Sequence, residues 1–131
     1  MTNPKFAISA SVVRYLLALD ALKGAGGIRT TDVARYLNIK KPSAHTMLNN
    51  LKDAGIITKD DLGTAHLTGF GTELTKRYRR YYCAVSAALA RTLPPEADIK
   101  NASCALIAEL PERVLEQLCE TGGAEGTRNV S

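Results

Sequence analysis

Long apolar runs are missing from this chain. No stretch approaches the roughly 20 residues that a membrane-crossing helix needs, so no membrane partner is expected. The opening MTNPKFAISASVV lacks the charged-then-apolar build of a secretory signal, which makes the cytoplasm the expected compartment. Cysteine is scarce. Cys83, Cys104 and Cys119 are odd in number and form no CxxC pair, which argues against a disulfide framework and predicts reduced thiols. The parts of an active site are absent too. His45 and His66 stand near no Cys or Ser in a nucleophile motif, and Gly24 to Gly27 has no strand before it to make a dinucleotide loop. No paired carboxylates fall at helical spacing where a cleft is expected, and no internal repeat is visible. The chain does not read as an enzyme.

What remains is an ordinary globular balance. With 131 residues, 45% hydrophobic and 23% charged, the chain can bury one compact core. A formal net charge of +4 and a pI near 9.1 lean towards a polyanionic partner without specifying one.

The stretch Thr30 to Thr68, TTDVARYLNIKKPSAHTMLNNLKDAGIITKDDLGTAHLT, carries the most information. Thr30 or Thr31 can cap a helix over Asp32 to Leu37, whose Val33, Ala34 and Leu37 share a face. Asn38-Ile39-Lys40 forms a short turn, and Pro42 suits the first position of a second helix. That helix runs to about Ala54, where Gly55 can supply a left-handed C-cap. Ile56 to Lys59 and Thr64 to Leu67 then read as two strands around Asp60-Asp61-Leu62-Gly63. Helix, turn, helix and ribbon in this order make a winged helix-turn-helix, which places its second helix in a DNA major groove.

Elsewhere the pattern is helical. Ile8, Val12, Tyr15, Leu16, Leu19 and Leu22 predict a first helix over about Ser9 to Lys23. Phe70, Leu74, Tyr78, Tyr81, Tyr82, Val85 and Leu89 stripe a long helix over about Thr72 to Arg91. Pro94-Pro95 breaks it. A helix from Glu96 to Glu109 follows, then one opened by Pro111 with Val114, Leu115 and Leu118 on its apolar side. The tail from Thr121 to Ser131, with three glycines, reads as disordered. The fold class is mainly α, a winged helix-turn-helix over 1–71 followed by a helical region over 72–120.

On the second helix of the motif, an advance of about 100° per residue gathers Ala44, Met47, Leu48 and Leu51 on one side. Pro42, His45, Thr46, Asn49 and Asp53 fall on the other, with Ser43 and Asn50 at its edge. Asn can pair with adenine, Ser and Thr with several base edges, and a proline ring can touch a thymine methyl. Lys40 and Lys41 are placed for phosphates, as are the backbone amides at that helix start. The same face could be the solvated side of a core helix; the turn before it and the ribbon after it favour double-stranded DNA. Lys59 on the wing can reach a phosphate, although Asp60 and Asp61 beside it repel one. The basic run Lys76, Arg77, Arg79 and Arg80 reads either as a phosphate track or as a solvated face whose tyrosines pack inwards.

The run KKPSAHTMLNNLKDAGII, with a short wing ending in HLTGFG, resembles the diphtheria-toxin-repressor and manganese-transport-regulator family of metal-dependent repressors. In that family a Pro-Ser pair opens the recognition helix, as Pro42-Ser43 does here. A Leu-Thr-x-x-Gly segment, here Leu67 to Gly71, starts a long linking helix. The likeness continues to about Glu120, and the short length is similar to the manganese-type members. It implies a homodimer joined through the helices after the wing, a near-palindromic operator, and Mn²⁺ or Fe²⁺ as effector.

The metal is where this chain departs from the family. Aligning from Leu67-Thr68 puts Tyr82 where the family has a His ligand and Ser86 where it has a Glu. Cys104 matches a ligand position, but Ile107 and Ala108 replace a Glu-His pair. Ser9 to Ser11 offers no acidic or Met ligand. One thiol cannot hold ions that want several nitrogen and oxygen donors. No metal residue is therefore assigned, and a shifted site on Cys83, Cys104 and Glu109 has no spacing rule behind it. The sequence reads as a DNA-binding transcriptional regulator, in the family's manner a repressor, without the usual metal switch. The rival readings are a winged-helix protein-docking module and a repressor that still responds to metal through that shifted site.

Overall fold

The structure, a computed structural model, describes residues 7–121 in full and 122–130 by backbone alone. Among these the chain is mainly α, with six helices and one two-stranded ribbon. In order they are α1 (Ala10–Leu22), α2 (Thr30–Leu37), α3 (Lys41–Asp53), β1 (Ile57–Lys59), β2 (Ala65–Leu67), α4 (Gly69–Thr92), α5 (Ile99–Glu109) and α6 (Glu112–Val130). The winged helix-turn-helix and the helical region after it follow the periodicity. The backbone of α6 continues through Val130, over the stretch from Thr121 that reads as disordered, and Ser131 lies outside the described residues. Among the described residues no helix is long and apolar enough to cross a membrane. Contacts divide the chain into two compact units, one of Arg14–Arg77 and one of Ile8–Val13 with the chain from Tyr78 onwards.

In the first unit, α2 begins two residues before the expected Asp32. The Arg29 carbonyl accepts from the amides of Asp32 and Val33 at 3.0 and 3.2 Å, so Arg29 is the N-cap and its side chain makes no capping bond. Thr30 and Thr31 are thus first-turn residues and not caps. The helix closes with Asn38 in the left-handed region, φ 56°. There Ile39 N–H reaches the Ala34 carbonyl and Asn38 N–H the Arg35 carbonyl, the paired bonds of a Schellman end. The same closure ends α3: Ile56 N–H bonds Leu51 and Gly55 N–H bonds Lys52, with Gly55 at φ 82°. Val33, Ala44, Leu48 and Leu51 are fully buried. Each large one contributes roughly 1.5–3 kcal/mol of burial.

The ribbon is antiparallel, with Ile57 opposite Leu67 and Lys59 opposite Ala65. A further bridge, invisible to periodicity, joins Ile28 to Ala65 through two bonds of 2.7 Å. The Leu67-Thr68-x-x-Gly71 segment has a plain physical use here. Thr68 Oγ1 accepts from the Gly71 amide at 2.9 Å and donates towards the Gly55 carbonyl at 2.6 Å. It is therefore an N-cap tied back to the end of α3, and α4 starts at Gly69 instead of Thr72. A Cβ on Gly71 would collide with the Ile56 carbonyl. Only glycine lets the first turn of α4 lie that close.

In the second unit, α5 starts at Ile99 and not Glu96, because Asp98 Oδ1 accepts from the Asn101 amide at 3.1 Å. Pro111 precedes α6: its carbonyl accepts from Val114 and Leu115 at 3.0 and 3.2 Å. Tyr78, Tyr81, Val85, Cys104, Ile107 and Leu115 form the core of this unit.

Candidate nucleic-acid interface

The outward face of α3 is built from its start. Lys40 is the N-cap, in extended conformation and without a side-chain capping bond, and no acidic residue occupies the first turn. Pro42 stands at the second helical position, one later than its sequence suggested, since the helix begins at Lys41. The positive end of the helix dipole is thus uncompensated and flanked by two exposed lysines. Ala44, Leu48 and Leu51 pin the opposite face at 0% exposure. Pro42, Ser43, His45, Thr46 and Asn50 are exposed, while Met47 and Asn49 are half-buried. Thr46 Oγ1 donates to the Pro42 carbonyl at 3.1 Å, which leaves its lone pairs to accept.

Asn49 is partly covered because the wing reaches it. Lys59 Nζ donates to Asn49 Oδ1 at 3.0 Å, and Asn49 Nδ2 lies 3.3 Å from His45 Nε2. The wing turn itself is held by Asp60. Its Oδ1 accepts from the amides of Leu62 and Thr64, both at 3.0 Å, and its Oδ2 lies 3.0 Å from His66 Nε2. The bond with His66, then that from Thr64, hold the Asp60 carboxyl below its ordinary range. So Asp60 is occupied with the turn. Asp61 is exposed, and Leu62 at the tip is 92% exposed.

These pieces open onto one groove in the first unit. Lys41, His45, Asn49 and Lys59 line it together with Arg29, Thr30, Thr31, Leu62, Gly63 and Thr64. Lys40, Pro42, Ser43, Thr46 and Asn50 are exposed elsewhere on α3 and its start, outside the groove lining. Sequence reading missed Arg29, Thr30 and Thr31 as surface contributors. The available signal was a cation directly before a helix; it carries weight only once the strand bridge at Ile28 fixes that segment against the wing.

The positions aligned with the family's metal ligands lie in the second unit. At the aligned positions Tyr82, Ser86 and Ala108 are half-buried, and Cys104 and Ile107 are buried. Cys104 lies at 0% exposure and Ile107 at 2%. A thiol and a phenol beside apolar side chains do not fit Mn²⁺ or Fe²⁺, which take oxygen and nitrogen donors. Nor is the alternative triad assembled: among the described residues no three of His, Cys, Asp or Glu come together to hold an ion. Part of the basic run is turned to structural use. Arg80 Nη2 donates to both Glu116 oxygens at 2.9 and 2.8 Å, with its guanidinium 5.6 Å from the centre of the Tyr81 ring. Tyr81 Oη lies 2.7 Å from Glu112 Oε1 and from Glu116 Oε2. Burial, then these carboxylates, push its phenol well above the ordinary value. Tyr78 packs edge-on against Tyr81 at 5.1 Å.

Taken together, the first unit is a winged helix-turn-helix. A model of the MarR family matches residues 10–64, less than half of the chain. No curated protein matches. Among solved structures, the chain is similar to the hypothetical protein SSo2273 from Sulfolobus solfataricus, at 19% identity over 88% of this chain and 90% of that one, TM-score 0.65. It is similar to T. acidophilum IdeR at 22% identity over 85% of this chain and 53% of that one, TM-score 0.62. It is also similar to the manganese regulator SloR at 19% identity, 82% and 51%, TM-score 0.67. The chain spans about half the length of the IdeR and SloR chains. At these identities the likeness establishes a shared fold.

Proposed function

We propose that this chain is a sequence-specific DNA-binding transcriptional regulator, a homodimeric repressor that works without the metal switch its resemblance implies. The observation that supports it most is the groove in which the polar face of α3 meets the wing, with Arg29, Lys41 and Lys59 around His45 and Asn49. In this reading α3 lies in the major groove. Lys40, Lys41 and Lys59 neutralise phosphates, Ser43, His45, Thr46, Asn49 and Asn50 address base edges, and the Pro42 ring meets a thymine methyl. Asn49 holds both halves of its amide against Lys59 and His45. Pairing with adenine exchanges those bonds for base contacts and releases Lys59 to the backbone. Residues 1–71 serve DNA and 72–120 serve dimerisation, with the chain acting in the cytoplasm. The MarR-family match over 10–64 and the fold shared with IdeR and the manganese regulator SloR agree with this reading. Because the donor set does not fit an ion, core packing in the second unit holds the dimer in its binding form.

The experiment is a fluorescence-anisotropy titration against DNA from the protein's own promoter, in chelator and again with Mn²⁺ or Fe²⁺ supplied anaerobically. Specific binding indifferent to metal is expected. Metal-dependent binding sinks the switchless part of the reading. The protein-docking alternative predicts no steep loss of affinity with salt, whereas phosphate contacts require one.

A further inference from the structure

Two of the three thiols meet in the second unit. Cys83 is exposed on α4 and Cys119 is half-buried on α6. Both line one open pocket with Arg80, Ala84 and Arg91. The Cys119 thiol donates to the Arg80 carbonyl, Sγ to oxygen 3.7 Å. Cys83 follows Arg80 by three residues, a spacing that puts helix neighbours on one face with about 5–6 Å between Cβ atoms. Cys119 therefore sits over the turn of α4 that carries Cys83. The two groups also feel each other: burial first, and Cys83 among lesser causes, raise the Cys119 thiol, while Arg80 opposes them. The exposed thiol is the one a solute meets; the half-buried one is kept protonated behind it. Cys104, at 0% exposure, does not line this pocket.

We propose that Cys83 and Cys119 form a dithiol site that a hydroperoxide closes to an intramolecular disulfide between α4 and α6. The Cys83 thiolate attacks the hydroperoxide; an S–O bond forms, the O–O bond breaks, and the alkoxide leaves with a proton as alcohol. Cys83 is then a sulfenic acid. Cys119 attacks that sulfur, the S–S bond forms, the S–O bond breaks, and hydroxide leaves with the Cys119 proton as water. Two thiols and one hydroperoxide thus give one disulfide, one alcohol and one water.

The test treats the reduced 131-residue chain with one equivalent of cumene hydroperoxide, quenches it with an alkylating agent, and measures intact mass and a non-reducing peptide map. The expected product is a single chain carrying two alkyl groups fewer than the alkylated reduced chain and, labels aside, lighter by about 2 Da, the two hydrogens lost. The Cys83 and Cys119 peptides are linked, titratable thiols fall from three to one, and dithiothreitol restores all of them. Cys119→Ser leaves a dimedone-reactive sulfenic acid on Cys83, and Cys83→Ser gives no such product. Sulfinic acid on Cys83 with Cys119 still titratable overturns the proposal. A disulfide between two chains, one that includes Cys104, or an unchanged mass does the same.

Discussion

The region around α3 and the region around Tyr81 both carry polar networks, and they are used differently. Around α3, His45, Asn49 and Lys59 are bonded to each other at the edge of an open groove. A ligand with the same donors and acceptors can replace those bonds at little net cost, because each hydrogen bond is exchanged for another. Around Tyr81, the phenol, Arg80, Glu112 and Glu116 close on one another over a fully buried ring. Those bonds hold α4 to α6. A network at the edge of a groove is a reading surface; one that ties two helices together is a clamp. The difference explains why the cations around α3 stay candidates for DNA while Arg80, from the basic run on α4, is spent on the fold.

The largest effect that breaks this comparison comes from neither network but from the joint beneath the reading surface. Gly71→Ala puts a Cβ into the Ile56 carbonyl, a backbone obstacle that cannot swing away. A loss of about 3 kcal/mol is expected, at the upper end for overpacking, and urea unfolding measures it. Next in size is the reading face itself. Replacing Asn49 and Thr46 with Ala should cost about 1–3 kcal/mol of specific DNA affinity per lost base contact and leave non-specific binding nearly intact. Replacing Lys40 and Lys41 should weaken all sequences alike and flatten the salt dependence. Equal losses in both variants would take Asn49 and Thr46 off the bases.

How far the sequence carried the fold follows from what periodicity can detect. The buried side of α3, with Ala44, Leu48 and Leu51, repeats every three or four residues and was legible. So was the glycine-closed end of that helix, whose parts are local; the Leu67 to Gly71 segment marks the start of α4 only through the resemblance, since periodicity places that start at Thr72 instead of Gly69. The bridge from Ile28 to Ala65 was not, since a single pair of residues leaves no alternation. The start of α5 was set one turn too early, because the Asp98 cap competes with a helical pattern that runs on through Glu96. Asp60 was read for its charge alone, as repelling phosphate; its three bonds within the wing turn depend on a loop shape that composition does not specify. The clamp at Tyr81 joins residues more than thirty positions apart, beyond any local pattern. The groove residues Arg29, Thr30 and Thr31 were hidden for the same reason, their place being set by the bridge.

Tyr81→Phe sharpens the contrast from the other side. It removes the one hydroxyl shared by Glu112 and Glu116 without changing the ring's bulk, and leaves two carboxylates without that donor. The expected cost is about 1–2 kcal/mol of stability, read by thermal unfolding. Affinity for DNA per folded molecule should be unchanged, since no residue of the clamp lines the groove. A specific loss of DNA binding at full stability would show that the clamp also shapes the reading surface.

The smallest effect is confined to the wing and depends on pH. The Asp60 carboxyl is held below its ordinary range by His66, then by the Thr64 and Leu62 amides. A depressed carboxylate lends stability that is fully present above its unfolded value of about 3.9 and disappears as pH falls through the lower folded value. The wing turn should therefore stay ordered from neutrality down to about pH 4 and loosen only below it. Because Asp60 is exposed, the loss should appear in the Leu62 and Thr64 amide resonances and leave global unfolding almost untouched. Asp60→Asn should loosen the same two amides already at neutral pH, since an amide oxygen accepts more weakly than a carboxylate. If instead both amides ignore acid and substitution alike, the turn is held by the Gly63 amide on the Asp60 carbonyl, at 2.9 Å. Asp60 would then be a solvated charge beside Lys59, and the wing would face phosphate with a repulsion that the network around α3 does not absorb.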